Sequence, residues 1–226
     1  LRPRQPNWRA EIVENYPQGN PKSIVYYEPS PEGEKAVKQV GLYPSGAIQV
    51  EQDLIEVAEE EKISYVPHGF RIDLNESGEV VQVCSYEKGV LQGEGRTFYP
   101  KGKVQTLFFF QQGQLEGAVQ TFYENGQLQE ESRYVNGLIE GESVQYFENG
   151  VRSTTIPYKA GKIHGTLTEW HANGFLKAHR QFVDGAPHGN GKTPAVILYD
   201  EDRNLAEVMD FRGGNLFGAH ILYYKN

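Results

Sequence analysis

One cysteine, Cys84, stands alone in 226 residues, so no disulfide can form within the chain and a small bridge-held scaffold is excluded. Two residues before Tyr86 in a strand-like stretch, it is expected as a small buried hydrophobe. No apolar run approaches the roughly 18 residues that a membrane-crossing helix needs. Basic residues are also in short supply: 22 against 30 acidic ones leave a net charge of −8. That balance works against docking on a nucleic-acid backbone or an anionic bilayer and suits a basic protein partner. No signal-peptide pattern is present, and the chain opens with the polar, proline-bearing Arg2-Pro-Arg-Gln-Pro6. From that opening a cell-envelope or exported protein whose leader has been removed is expected, with the cytoplasm as the alternative.

Catalytic and cofactor patterns are missing too. Gly189-Asn-Gly-Lys-Thr193 has the end of a phosphate loop, but Ala186 stands where its first glycine belongs and Pro194 blocks the helix that should follow. Gly213-Gly214 and Gly218 make no dinucleotide fingerprint. Glu130 and Glu131 are adjacent in a strand, so their side chains point to opposite faces and cannot cooperate as acid and base. Cys84 has no patterned histidine, and no serine sits in a nucleophile elbow. His68, His164 and His188 each precede a glycine by one residue. Two strands separate successive copies, about 9 to 10 Å, too far for a shared zinc. They read as turn residues, while His171 and His179 stand close enough in sequence to meet across a hairpin. No enzyme, no cofactor and no metal are expected.

What the chain has in abundance is glycine on a clock. Gly89, Gly113, Gly137, Gly161 and Gly185 recur every 24 residues. A second series, Gly69, Gly93, Gly117, Gly141, Gly165 and Gly189, follows four residues behind, and a third runs through Gly78, Gly102, Gly126, Gly150 and Gly174. A period of this length marks stacked supersecondary units. Gly117 to Gly126 reads as a strand ending in Asn125-Gly126, a dipeptide suited to a tight type I′ turn, and the return strand runs to a second turn at Asn136-Gly137. Each unit is therefore expected to be a β-hairpin and the chain an all-β, single-layer antiparallel meander of about 16 to 18 strands.

Aromatic residues keep the same time. Tyr86, Phe110, Tyr134, Tyr158, Phe182 and Phe211 precede a turn glycine by three residues, and Phe98, Phe122, Tyr146, Trp170 and Tyr223 follow a second-type glycine by five. One slot on successive hairpins faces one side of a sheet, so each series is expected to form a column of stacked rings that makes the core.

The run Gly-x4-aromatic-aromatic-x-Asn-Gly-x-Leu, best between Gly117 and Gly141, resembles the bacterial variant of the membrane-occupation-and-recognition-nexus (MORN) repeat. The resemblance is clear over residues 65–226 and loose over 15–64, through Tyr16-Pro-Gln-Gly19 and Tyr43-Pro-Ser-Gly46. It implies an elongated, twisted array of about eight to nine tandem hairpins serving as a non-enzymatic binding scaffold. Many bacterial members are described as antitoxins, so it also implies a partner that could be a toxin. The Gly-x-Gly pair of the eukaryotic form survives only at Gly93-Glu-Gly95 and Gly189-Asn-Gly191, which weighs against carrying over a lipid-binding role.

The organisation that follows is an N-terminal extension (1–14), divergent repeats with insertions (15–64) and a regular array (65–226), all one continuous repeat domain. Two insertions break the period. The stretch 52–64 contains Asp53-Leu-Ile-Glu-Val-Ala-Glu-Glu-Glu-Lys62, expected as about two helical turns or as an acidic excursion between strands, either a solvated face or a contact for a basic partner. Five extra residues fall within 190–197. Tyr99, Tyr123, Phe147 and Trp170 are candidate partner-binding residues on an exposed aromatic surface, where the alternative ligand is a carbohydrate or lipid. Ile221, Tyr223 and Tyr224 are candidates on a C-terminal edge strand open to a protein or peptide partner or to a second copy, with Lys225 and strand twist as its only native protection otherwise.

Overall fold

The computed structural model describes residues 1–59 and 62–224. It divides into two compact units, Leu1–Gln114 and Leu115–Asn226. Among the described residues the regular structure is 22 β-strands and one 3-10 turn at Pro100–Gly102, with every pairing antiparallel and no α-helix.

The first unit runs through β1 (Arg9–Asn15), β2 (Pro21–Ser30), β3 (Gly33–Leu42), β4 (Ile48–Glu59), β5 (Lys62–Leu74), β6 (Val80–Glu87), β7 (Val90–Leu91), β8 (Gly93–Phe98) and β9 (Val104–Gln111). From β1 to β6 each strand pairs with the next, β6 pairs with both β7 and β8, and β8 pairs with β9. A two-residue strand, β10 (Gln114–Leu115), falls at the division. The second unit repeats the pattern: β11 (Gly117–Phe122), β12 (Leu128–Val135), β13 (Leu138–Ile139), β14 (Gly141–Tyr146), β15 (Arg152–Lys159), β16 (Lys162–Ile163), β17 (Gly165–Trp170), β18 (Leu176–Val183), β19 (Ala186–Pro187), β20 (Val196–Tyr199), β21 (Leu205–Arg212) and β22 (Asn215–Leu222). The strand count exceeds the 16 to 18 expected because the second glycine series cuts strands in two. Gly93 and Gly141 hold φ at 89° and 81°, which ends a two-residue strand and starts a six-residue one.

The two kinds of turn are assigned differently from the reading of Asn125-Gly126 as type I′. Only Gly126 of that pair has positive φ, at 87°. Tyr123 donates its N–H to the Gln127 carbonyl and accepts one from Gly126, which encloses a three-residue loop ending in a left-handed glycine. Asn125 serves it by accepting the Gln127 N–H at 2.9 Å on Oδ1. The type I′ turns lie at the first glycine series instead: Asn136 and Gly137 sit at φ 49° and 77°, between the paired residues Val135 and Leu138. A two-residue loop needs both φ values positive to match strand twist. Here the chain puts Lys88, Gln112, Ala160 and Asp184 into the left-handed region as readily as an asparagine.

The stretch 52–64 is strand, not helix. β4 and β5 pair from Val50↔Asp73 through a bulge near Gln52 to Ala58↔Ile63. β-Branched Ile55 and Val57 face a partner strand carrying Val66 and Ile63, and Asp53 is drawn inward rather than solvated. The acidic residues Glu60 and Glu61 of that stretch lie outside the described residues. Within 190–197 a loop closes on Asn190, whose Oδ1 accepts the N–H of Lys192 (2.9 Å) and Thr193 (2.7 Å), before β20 begins at Val196. Ala195 beneath it is fully buried and donates its N–H to Asp210 Oδ1 at 3.2 Å.

The core also differs from the expected ring columns. Tyr86, Phe110, Tyr134, Tyr158, Phe182, Phe98, Phe122, Tyr146 and Trp170 are all half-buried. The fully covered positions along the same strands are small: Cys84, Ser132, Ser143, Thr155 and Ala178. A repeat advances two strands, roughly 9 to 10 Å, so rings of one column are too far apart to stack and flank small residues instead. Ring-on-ring contact occurs within a strand of the first unit, where Phe108 and Phe110 meet edge-to-face with centroids 5.5 Å apart. Burial pushes the Cys84 thiol above its ordinary value, offset in part by the Gln82 amide that donates to Sγ at 3.0 Å.

Candidate functional site

At the type I′ turns each repeat is fastened to the one before it by two backbone donors. The glycine N–H goes to a carbonyl about one repeat earlier: Gly113 to Leu91, Gly161 to Ile139 and Gly185 to Ile163, at 2.9, 3.0 and 2.8 Å. The N–H of the residue just before that glycine goes to a side-chain acceptor that itself precedes a second-series glycine. Gln92 Oε1 takes Gln112 (2.8 Å), Glu116 Oε2 takes Asn136 (2.8 Å) and Glu140 Oε2 takes Ala160 (2.6 Å). His68, His164 and His188 accept through Nδ1 from Lys88, Asp184 and Gly213 at 3.4, 3.4 and 3.1 Å. The slot therefore selects any acceptor of the right length, and the histidines are turn residues rather than ligands. Glu140→Ala is expected to cost about 0.5–1.5 kcal/mol, the worth of one net hydrogen bond, and Glu140→Gln to recover most of it. Chemical denaturation distinguishes them; equal losses in both variants would mean that charge rather than acceptance matters.

Within each unit polar groups gather beside buried small residues such as Cys84, Ser132 and Ser143. In the second unit the hydroxyls of Ser132 and Ser143 lie 2.9 Å apart and share Glu130 Oε1 at 2.9 and 3.0 Å, while Gln145 Nε2 donates to Glu130 Oε2 at 3.2 Å. Glu131 faces the other way and accepts from Gln120 Nε2. Further along the chain Arg180 pairs with Glu169. Burial holds the Tyr158 phenol above its usual range, with the Glu130 carboxylate adding to it. In the first unit Arg71 donates to both oxygens of Asp73, and those hydrogen bonds raise the guanidinium's pKa further. These groups consume one another's hydrogen-bonding capacity, which is what a satisfied structural network looks like.

The four aromatic candidates occupy two different slots. Tyr99, Tyr123 and Phe147 enter the three-residue loops, whereas Trp170 ends strand β17 and the equivalent loop residue is His171. All four are half-buried. Tyr123 spends its hydroxyl on the Tyr146 carbonyl (2.7 Å), and Trp170 lies under the Arg152 guanidinium (5.7 Å to its ring). His171 and His179 are not brought together: the first contacts the Tyr199 carbonyl and the second the Thr168 hydroxyl. Among the described residues no group of three or more His, Cys, Asp and Glu side chains is placed to hold a metal, and no helix is long and apolar enough to cross a membrane.

The C-terminal candidates are exposed. Every residue of β22 is, including Leu216, Phe217, Ile221 and Leu222, and the apolar run continues into Tyr223 and Tyr224, the last 85% exposed. Among the described residues β22 pairs with β21 alone, from Arg212↔Asn215 to Glu207↔Leu222. Tyr223 donates its N–H to the Ala206 carbonyl at 2.9 Å. Backbone donors alternate sides along a strand, so the Leu222 N–H points outward. Lys225 lies outside the described residues.

Hairpins repeating every 24 residues, fastened turn to turn, define a repeat scaffold. The family model described as MORN repeat variant matches residues 91–112, 115–136 and 139–160. Each matched segment starts two residues past a type I′ glycine and ends one residue before the next. No curated protein matches the chain.

Sequence reasoning missed two groups. The acceptor slot was legible in retrospect as a Gln, Glu or His before each second-series glycine. The buried Lys38, held by Glu51 at 3.0 Å and Asp53 at 2.8 Å, had no sequence signal at all.

Proposed function

We propose that this scaffold binds a protein or peptide partner, and that strand β22 receives an extended segment of it by strand addition. The observation that carries this is the combination of an outward-facing backbone edge with a fully exposed apolar strand, an arrangement that folded proteins normally cover or blunt with charge. The net charge of −8 favours a basic partner. Occlusion of a toxin is one form such binding takes.

Leu222→Pro tests it cleanly. The substitution removes a donor that faces away from β21, so the ladder between β21 and β22 is kept while the outer edge is blocked. Loss of partner capture with an unchanged melting curve is the expected result. Capture that survives in the folded variant removes the edge as the site. Self-association abolished by the same change would instead make a second copy the occupant.

A further inference from the structure

The segment Leu1–Trp8 forms an arm that crosses one face of β2, β3 and β4, and it does so through few groups. Residues 1–7 are exposed and only Trp8 is buried, 8% accessible. The Arg2 N–H reaches Asp53 Oδ2 at 2.7 Å, and its guanidinium spans both oxygens of Glu28 at 3.0 and 3.1 Å. Arg4 approaches Glu51 at 3.8 Å and lies over the Tyr26 ring at 5.3 Å, while Arg2 lies over Trp8 at 5.2 Å. Beneath the arm Lys38 is completely buried between Glu51 and Asp53.

The charges at this place have a simple logic. Lys38 pairs with Glu51 and Asp53, Glu28 pairs with Arg2, and the two arginines of the arm balance the remaining charge of the three carboxylates. Without the arm the surface would hold an excess of negative charge beside the Tyr26 ring, a combination that takes a guanidinium both by charge and by cation–π contact. The arm's own grip is modest. Its arginine contacts lie at exposed positions where ion pairs contribute little, and the buried Trp8 indole N–H has no hydrogen-bond partner.

We propose that the surface under the arm is a docking site for an extended basic segment of a protein partner, with two arginines around a proline and an aromatic residue beyond them, and that Leu1–Trp8 is a self-ligand which this segment displaces. The proposal rests on the reading of the chain as a binding scaffold and names a second site on it, within the first unit.

The test uses the full chain carrying Trp170→Phe, which leaves Trp8 as the sole indole. The probe is an acetylated peptide of the arm's sequence with phenylalanine in place of Trp8. Saturable titration is expected to shift Trp8 emission to the red and open it to acrylamide quenching. Adding Arg2→Ala and Arg4→Ala to the chain weakens the self-ligand and should tighten peptide binding by about tenfold or more, because less of the site is occupied at the start. Glu28→Gln with Glu51→Gln should abolish saturation, and circular dichroism of that variant confirms the fold with Lys38 and Asp53 retained. The proposal is overturned by a peptide with both arginines changed to glutamine that acts equally well, or by arm variants that bind no tighter. A concentration-dependent dimer that keeps Trp8 buried and ignores the peptide also overturns it, in favour of arm exchange between copies. A partner whose capture is indifferent to Glu28→Gln and Glu51→Gln removes this site and leaves the scaffold reading standing; absence of any partner is the separate failure of that reading.

Discussion

Lys38→Ala is expected to destabilise the protein by about 3–5 kcal/mol, the range for breaking a buried ion pair from one side. The lysine has no solvent exposure, and its ammonium lies 3.0 Å from Glu51 and 2.8 Å from Asp53. Truncation removes the cation and strands two carboxylates in a covered place, where the cost of the unpaired charge outweighs the loss of packing around the stem. Lys22→Ala is the contrast. That lysine makes a shorter contact, 2.6 Å to Glu14, but both partners are about half exposed. Its loss should leave stability almost unchanged, because solvent screens an exposed pair. Urea denaturation of the two variants decides whether burial or distance governs the worth of an ion pair here; similar losses would show that Lys38 is solvated in solution.

Gly95→Val should cost about 3 kcal/mol, at the upper end of what overpacking does. A Cβ placed on Gly95 would lie 2.0 Å from a ring carbon of Phe108, and that ring is in turn set edge-to-face against Phe110. Gly95 opposes Phe108 across β8 and β9, so the missing side chain is where the neighbouring ring goes. The reason for this glycine is space: unlike Gly93, it does not hold a positive φ. Combined with Phe108→Ala, the valine should be far less damaging than the two single losses added together, with a coupling of at least about 1 kcal/mol. Strict additivity in thermal melts would mean that the ring has another place to go.

Both effects belong to contacts that the repeat pattern does not encode. Gly95 is visible in the sequence as half of Gly93-Glu-Gly95, but a glycine required for space and a glycine required for φ look the same until the opposing strand is known. The turn at Asn125-Gly126 shows the same limit. The dipeptide suits a two-residue or a three-residue loop, and the choice lies in the register, with Tyr123 pairing to Gln127. The acidic stretch 52–64 lacked any period to separate strand from helix, and its strand form depends on β5 lying alongside.

What the sequence determined by itself is the ladder: hairpins at a 24-residue step, turns at the glycines, antiparallel pairing throughout and the assignment of His164 and His188 to turn positions. Those are local matters, because a tight turn demands left-handed φ within two or three residues and a strand's faces alternate whatever lies opposite. Only the tertiary structure decided which glycine makes room for a ring, that small residues rather than aromatic columns are fully covered, and that Lys38 is buried under an arm 30 residues before it. Burial of a charge is settled by what covers it. The covering group here, Trp8 and the arginines of the arm, is joined to Lys38 by folding alone and not by any spacing along the chain.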